Sequence, residues 1–220
     1  TKHSADRLAG KAGAVLVLGR RALAAVGQGR HFDGHLAPGR RHLLKATWQA
    51  DALHDLAANG SAYWTKRLCA AIERENPDRI VLLGDLLYHG PRNDLPRDYA
   101  PKEVIAMLNP LKEKLFCVRG NCEAEVDQMV LPFPCLAEFS QLLLDGKTFY
   151  LTHGHHANPD NLPPLPAGSV FLFGHTHVKL DEVHSGIRCL NPGSVSIPKD
   201  GSHSCLIYEN GEFFVRILEE

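Results

Sequence analysis

The chain has 220 residues, enough for one large domain or for one domain with an appendage. Hydrophobic residues make up 44% and charged residues 22%, an ordinary globular balance, and a net charge of −1 gives no general pull toward nucleic acid or an anionic membrane. No apolar run approaches the roughly 20 residues that span a bilayer, and no secretory leader follows Thr1, so neither a membrane nor a specific nucleic-acid partner is expected.

Composition changes near residue 60. Residues 1–60 carry nine Lys and Arg against four Asp, a net of +5, with no Glu and no Cys. Residues 61–220 carry fifteen Lys and Arg against twenty-one acids, a net of −6. Residues 1–59 are therefore expected to form an atypical basic segment, disordered or non-native, ahead of a domain over 60–220. Within that segment only Ala14–Leu18 reads as a strand. A first residue of Thr rather than Met is expected of a fragment or a processed chain.

From Ser61 the pattern becomes regular. Ser61 can cap a helix running to about Asn76, with Trp64, Leu68 and Ile72 on one face. Arg79–Leu83 is an apolar, buried-type strand that ends at Gly84-Asp85. A helix around Lys102–Leu111 precedes a second strand, Lys114–Val118, which ends at Gly120-Asn121. Gln141–Leu144 and Thr148–Thr152 flank Asp145-Gly146, a tight-turn dipeptide, and the second of them runs into His153-Gly-His155. Val170–Phe173 leads into Gly174-His175-Thr176-His177. Leu180–His184 pairs with Ile187–Leu190 across Ser185-Gly186, and Leu206–Glu209 pairs with Glu212–Ile217 across Asn210-Gly211. The layout is α/β first and mostly β afterwards.

Four strands thus end in glycine-bearing loops that present metal-capable side chains: Asp85, Asn121, His153 with His155, and His175 with His177. In open α/β sheets ligands bind beyond the carboxyl ends of the strands, so four such loops can converge. Carboxylate, amide oxygen and imidazole together suit a divalent ion such as Mn²⁺, Fe²⁺ or Zn²⁺. Each piece alone has an ordinary explanation, since Gly-Asp is usually a turn and Gly-Asn-Cys a loop. All four in this order, each directly after an apolar strand, point to a metal site.

This order resembles the calcineurin-like metallophosphoesterase superfamily. Within it the chain is similar to the small bacterial phosphodiesterases of the YfcE type. The carrying stretches are Leu83–Asn93, Val118–Gln128, Leu151–His155, Phe173–His177 and Asn191–Pro198. The resemblance implies a two-sheet β-sandwich flanked by helices, four layers in all. It also implies metal-dependent hydrolysis of a small-molecule phosphodiester by a metal-bound hydroxide, with Mn²⁺ as the ion, one or two per chain. Asp85 would bridge two metals, Asn121, His153 and His175 would complete the second metal's ligands, and His177 would serve the first. Asp85, Asn121 and His153 are then the catalytic set. Where many relatives carry a His after the Asn, this chain has Cys122, either a catalytic group or a small packed residue.

One motif departs from the family pattern. The family opens with Asp-x-His-Gly, and an ungapped match to Gly60-Ser61 places Ala57 and Asn59 at the ligand positions. A gapped match offers Asp51 and His54, whose spacing is one residue too long and turns the second side chain to the other face of a strand. A weak or absent first metal and reduced hydrolysis are therefore expected if this segment is native. Two alternatives follow. The chain could be a non-catalytic interaction protein on the same fold, or its histidines could hold one structural zinc.

Other residues are read more plainly. Arg92, in the polar loop after Asp85, offers either a phosphate contact or a loop salt bridge. Glu123, Glu125 and Asp127 are expected at a solvated helix start. His155 and His156 flank the site, with His156 exposed, while His184 and His203 are read as ordinary surface or sheet residues. The six cysteines include no CxxC pair and are expected to be free thiols in a reducing cytoplasm. A homo-oligomer is left open.

Overall fold

The computed structural model describes residues 58–220, together with the backbone of a short strand, β1, at Val15–Val17. Helix α1 (Ala62–Glu75) starts where Ser61 Oγ accepts the Trp64 N–H, and it stops at Asn76, which turns left-handed at φ 44°. Strand β2 (Ile80–Leu82) follows, then α2 (Pro101–Leu108). The helix expected to reach Leu111 gives way to a 3₁₀ turn over Asn109–Lys114. Pro110 is the reason, because it has no N–H to continue the α-helical ladder. Strand β3 (Leu115–Cys117) and helix α3 (Glu125–Val130) complete the α/β half.

The second half holds β4 (Phe139–Leu144), β5 (Lys147–Thr152), β6 (Val170–Leu172), β7 (Lys179–His184), β8 (Ile187–Pro192), β9 (Ser204–Glu209) and β10 (Glu212–Ile217). Its three expected hairpins form. Asp145-Gly146, Ser185-Gly186 and Asn210-Gly211 all have positive φ at both positions, as the right-handed twist of the flanking strands favours. One sheet is ordered β1-β4-β5-β6-β8-β7, while β2-β3 and β9-β10 form two smaller pairs.

Alternation along the strands separates three apolar layers. Val81 and Leu83 pack with Phe149, Leu151, Val170, Leu172, Leu206 and Tyr208 between the large sheet and the smaller pairs. Ile80 and Leu82 point the other way, onto Trp64, Leu68 and Ile72 of α1 and Val104 and Leu108 of α2. Tyr150, Phe171 and Phe173 form the outer face of the large sheet, covered by Ala157, Leu162 and Leu165 from the long connection after β5. Each fully buried Leu or Phe contributes about 1.5–3 kcal/mol, so the central layer is what fixes one sheet against the other. Strands β2 and β3 are parallel to each other, and so are β5 and β6. The four loops singled out in the sequence therefore leave the same kind of strand end. Among the described residues no helix is long and apolar enough to cross a membrane.

Candidate metal centre

The loops after β2 and β3 meet backbone to backbone. A Cβ on Gly84 would lie 2.3 Å from the Gly120 nitrogen, and one on Gly120 would lie 2.2 Å from Asp85 Oδ1, so both positions require glycine. Between these loops sits Glu123, 4% exposed. Its carboxylate accepts the N–H groups of Asp85 (2.8 Å), Leu86 (2.6 Å) and Gly120 (2.6 Å). Burial lifts this carboxyl above the usual range, and the three N–H donors pull it part of the way back. The expectation of a solvated acid is thus corrected for Glu123. The helix begins two residues later, at Glu125, where Asp127 accepts the Ala124 N–H as expected of a helix start.

Asp85 itself is 5% exposed and left-handed at φ 55°, and His175 and His177 share that conformation at 66° and 60°. Non-glycine residues held there are strained, and such strain gathers at functional sites. Burial raises the Asp85 carboxyl, but hydrogen bonding and charge from His153 and the Cys122 N–H outweigh it, so the group lies below its ordinary value. Asp85 Oδ1 accepts that Cys122 N–H at 2.9 Å.

His153 is the hub. Its Nδ1 lies 2.6 Å from the Leu83 carbonyl oxygen, which can only accept, so the ring proton belongs on Nδ1. Its Nε2 then faces Asn121 Oδ1 at 3.1 Å, His175 Nδ1 at 3.2 Å and Asp85 Oδ2 at 3.4 Å. Burial, then His153, lowers the His175 imidazole to about 4, so it is neutral at pH 7. A proton on His153 Nε2 offsets the repulsion among these acceptors in the metal-free protein, and a cation in its place would do the same. A divalent cation meets that need, and the separations match those between ligands in one coordination shell. The donor set therefore fits the ion.

His177 is placed differently. Its Nδ1 is hydrogen-bonded to the Ile197 carbonyl at 3.0 Å, and burial lowers its pKa. One residue away, Ser196 Oγ donates to Asn59 Oδ1 at 2.9 Å, and the Asn59 N–H donates to the Asp85 carbonyl. Asn59 is fully buried, and its Nδ2 has no partner among the described residues. Asn59, His177 and Asp85 thus border a second, sparser position. The readings that involve Ala57, Asp51 and His54 lie outside the described residues.

The loop after Asp85 folds beside Cys122. A Cβ on Gly90 would lie 3.4 Å from Cys122 Sγ. Arg92, on this loop, is exposed and forms no ion pair among the described residues. Burial, then Asp85, pushes the Cys122 thiol up to about 12, so it stays protonated at neutral pH. His155 packs 5.3 Å from His153, centroid to centroid. His203 stacks on Trp64 at 3.4 Å, a packing role that its sequence did not reveal. None of the six cysteines forms a disulfide among the described residues.

Residues 53–211 match the model of the calcineurin-like phosphoesterase superfamily domain. The chain is 46% identical over 144 residues to phosphodiesterase YfcE of Escherichia coli strain K12, covering 66% of this chain and 78% of that protein. It is 27% identical over 122 residues to the probable metallophosphoesterase YsnB of Bacillus subtilis strain 168, covering 51% and 68%. The solved structure of the E. coli phosphoesterase YfcE superposes with a TM-score of 0.69 at 39% identity, covering 77% of this chain and 98% of that one.

Proposed function

Because the chain belongs to the calcineurin-like phosphoesterase superfamily, we propose that it hydrolyses small phosphodiesters at a divalent ion held by Asp85, Asn121, His153 and His175. Membership of the superfamily carries metal-dependent phosphoester hydrolysis, and the diesterase reading draws on the relative named a phosphodiesterase. We take the ion to be Mn²⁺ and assign His177 to a second, weaker position bordered by Asn59. When bound, the ion polarises a phosphoryl oxygen and lowers the pKa of a water molecule.

The chain's own residues do the rest. Asp85 supplies the negative charge that retains the cation. The Leu83 carbonyl fixes the His153 tautomer, and Glu123 holds the Asp85 and Asn121 loops at one spacing. Cys122, as a protonated thiol of high pKa, is a packed neighbour rather than a proton donor. Arg92 is assigned to the substrate phosphate. Residues 60–220 form the catalytic domain in this reading, in line with the family match over 53–211. A cytoplasmic setting accords with six cysteines outside disulfides. The comparisons carry no support for the interaction-protein alternative.

The observation that carries the proposal is the convergence of three donor atoms on His153 Nε2. The test is hydrolysis of bis(p-nitrophenyl) phosphate by the metal-stripped full chain after Mn²⁺ is restored. Asp85→Asn is expected to lower the rate by at least about a hundredfold. An absence of hydrolysis with Mn²⁺, Mg²⁺, Co²⁺ and Zn²⁺ alike overturns the proposal.

A further inference from the structure

Beside the hub, and outside the ligand set just described, lies another group of metal-capable side chains. One ligand atom from each of Glu138, His155 and His156 lies within 4.8 Å of the other two. The group joins two elements. Glu138 immediately precedes β4, and the two histidines follow β5, which pairs antiparallel with β4 in the register Phe139↔Thr152. Sheet pairing, not chance proximity of flexible loops, therefore brings the carboxylate and the two imidazoles together.

We propose that Glu138, His155 and His156 form an accessory zinc-type site at the edge of the main centre. Two imidazoles and one carboxylate are a set that suits Zn²⁺ and leaves a position open for water. In a tetrahedral zinc site, ligand atoms stand about 3.3–3.5 Å apart. His156 Nδ1 and Glu138 Oε2 are already 3.3 Å apart. Glu138 and His156 are exposed and His155 is half-buried, which leaves their side chains room to adjust. The other carboxylate oxygen, Oε1, is engaged by Arg119 at 3.4 Å, which aims Oε2 at His156. Such outer contacts orient metal-bound carboxylates.

A second observation comes from His155. Its Nδ1 is buried and has no hydrogen-bond partner among the described residues, although its ring packs 3.9 Å from that of His156. A plain ion pair between Glu138 and His156 would leave this nitrogen unanswered. The ring is therefore not committed to another hydrogen bond at Nδ1 and can turn toward an ion. The site is distinct from the main centre because none of its three residues is in the set that surrounds His153 Nε2.

Zinc binding by the full chain, measured by equilibrium dialysis with elemental analysis, tests the proposal. Glu138→Gln and His156→Gln change exposed side chains and are expected to leave the fold and Mn²⁺-dependent hydrolysis unchanged. Each is expected to bind about one zinc ion fewer per chain than the unmodified protein. With Co²⁺ in place of zinc, the difference spectrum between the unmodified chain and either variant is expected to show the intense visible bands of a tetrahedral ion. Equal zinc content in all three proteins, or an unchanged cobalt spectrum, overturns the proposal. The outcome is independent of whether the main centre hydrolyses phosphodiesters.

Discussion

On one side of Asp85, the donor atoms of Asn121 and His175, with the Asp85 carboxylate itself, lie within 3.4 Å of His153 Nε2. On the other side, Asn59 and His177 are linked through the Ser196–Ile197 segment. The dense side is assembled from four strand ends that a packed central layer locks together. The sparse side depends on chain entering just before Gly60, where the sequence supplies Ala57 and Asn59. One fold therefore holds a dense cluster of metal-capable atoms next to a sparser one. The supply of such atoms follows local sequence at each loop, whereas nearness follows the sheets.

The sharpest way to break this contrast is to loosen the dense side. Glu123→Gln keeps the volume but replaces one acceptor oxygen with a donor that faces backbone N–H groups. A loss of about 3 kcal/mol is expected from the unmet hydrogen bonds to a buried charge. Chemical denaturation measures it, and Mn²⁺ affinity should fall with it, because the Asp85 and Asn121 loops separate. Unchanged stability would show that the clamp carries no load.

The sparse side gives a smaller effect. Asn59→Ala removes the Ser196 contact and places alanine at φ 45°, for a loss of about 1–2 kcal/mol. Bound Mn²⁺ per chain should not change if the principal ion belongs to the dense side, as proposed. A drop in metal content would make Asn59 a working ligand and erase the contrast.

Acid acts on the dense side through His175. In the metal-free chain its imidazole lies at about 4, below the roughly 6.5 of an unfolded histidine. Between those values the unfolded chain takes up a proton that the folded chain does not, so stability falls as pH drops through that window. Thermal unfolding in chelator at pH 7.5 and pH 5 reads this, and Mn²⁺ should weaken the dependence.

The smallest effect serves as a control away from both sides. Arg188 pairs with Asp181 through two contacts, at 2.8 and 2.7 Å, on the exposed surface of β7 and β8. Arg188→Ala is expected to cost about 0.5 kcal/mol. The hydrogen bond from Arg188 leads the effects that hold the Asp181 carboxyl below its ordinary value. The pair's contribution is therefore present above the unfolded carboxyl value of about 3.9 and is lost as pH falls below it.

Much of the fold was legible because its signals are local. Ser61 marks a helix start by the reach of one side chain, and Asp145-Gly146 and Asn210-Gly211 mark hairpins by backbone handedness. Asp85, Asn121, His153 and His175 could be singled out because each follows an apolar strand. Glu123 was misread because an acid before a helix looks the same in sequence whether it faces water or three N–H groups of another loop. His203 on Trp64 escaped for a similar reason, since stacking across 139 residues leaves no local trace.

By itself, the sequence determined which donor types stand at the strand ends. These are properties of side-chain chemistry and short spacing. Only the tertiary structure decided that four donors share one point, that Glu123 fastens two of their loops, and that Glu138 meets His155 and His156. Those outcomes depend on which strands pair and in what register, and hydrogen bonding between distant segments sets both.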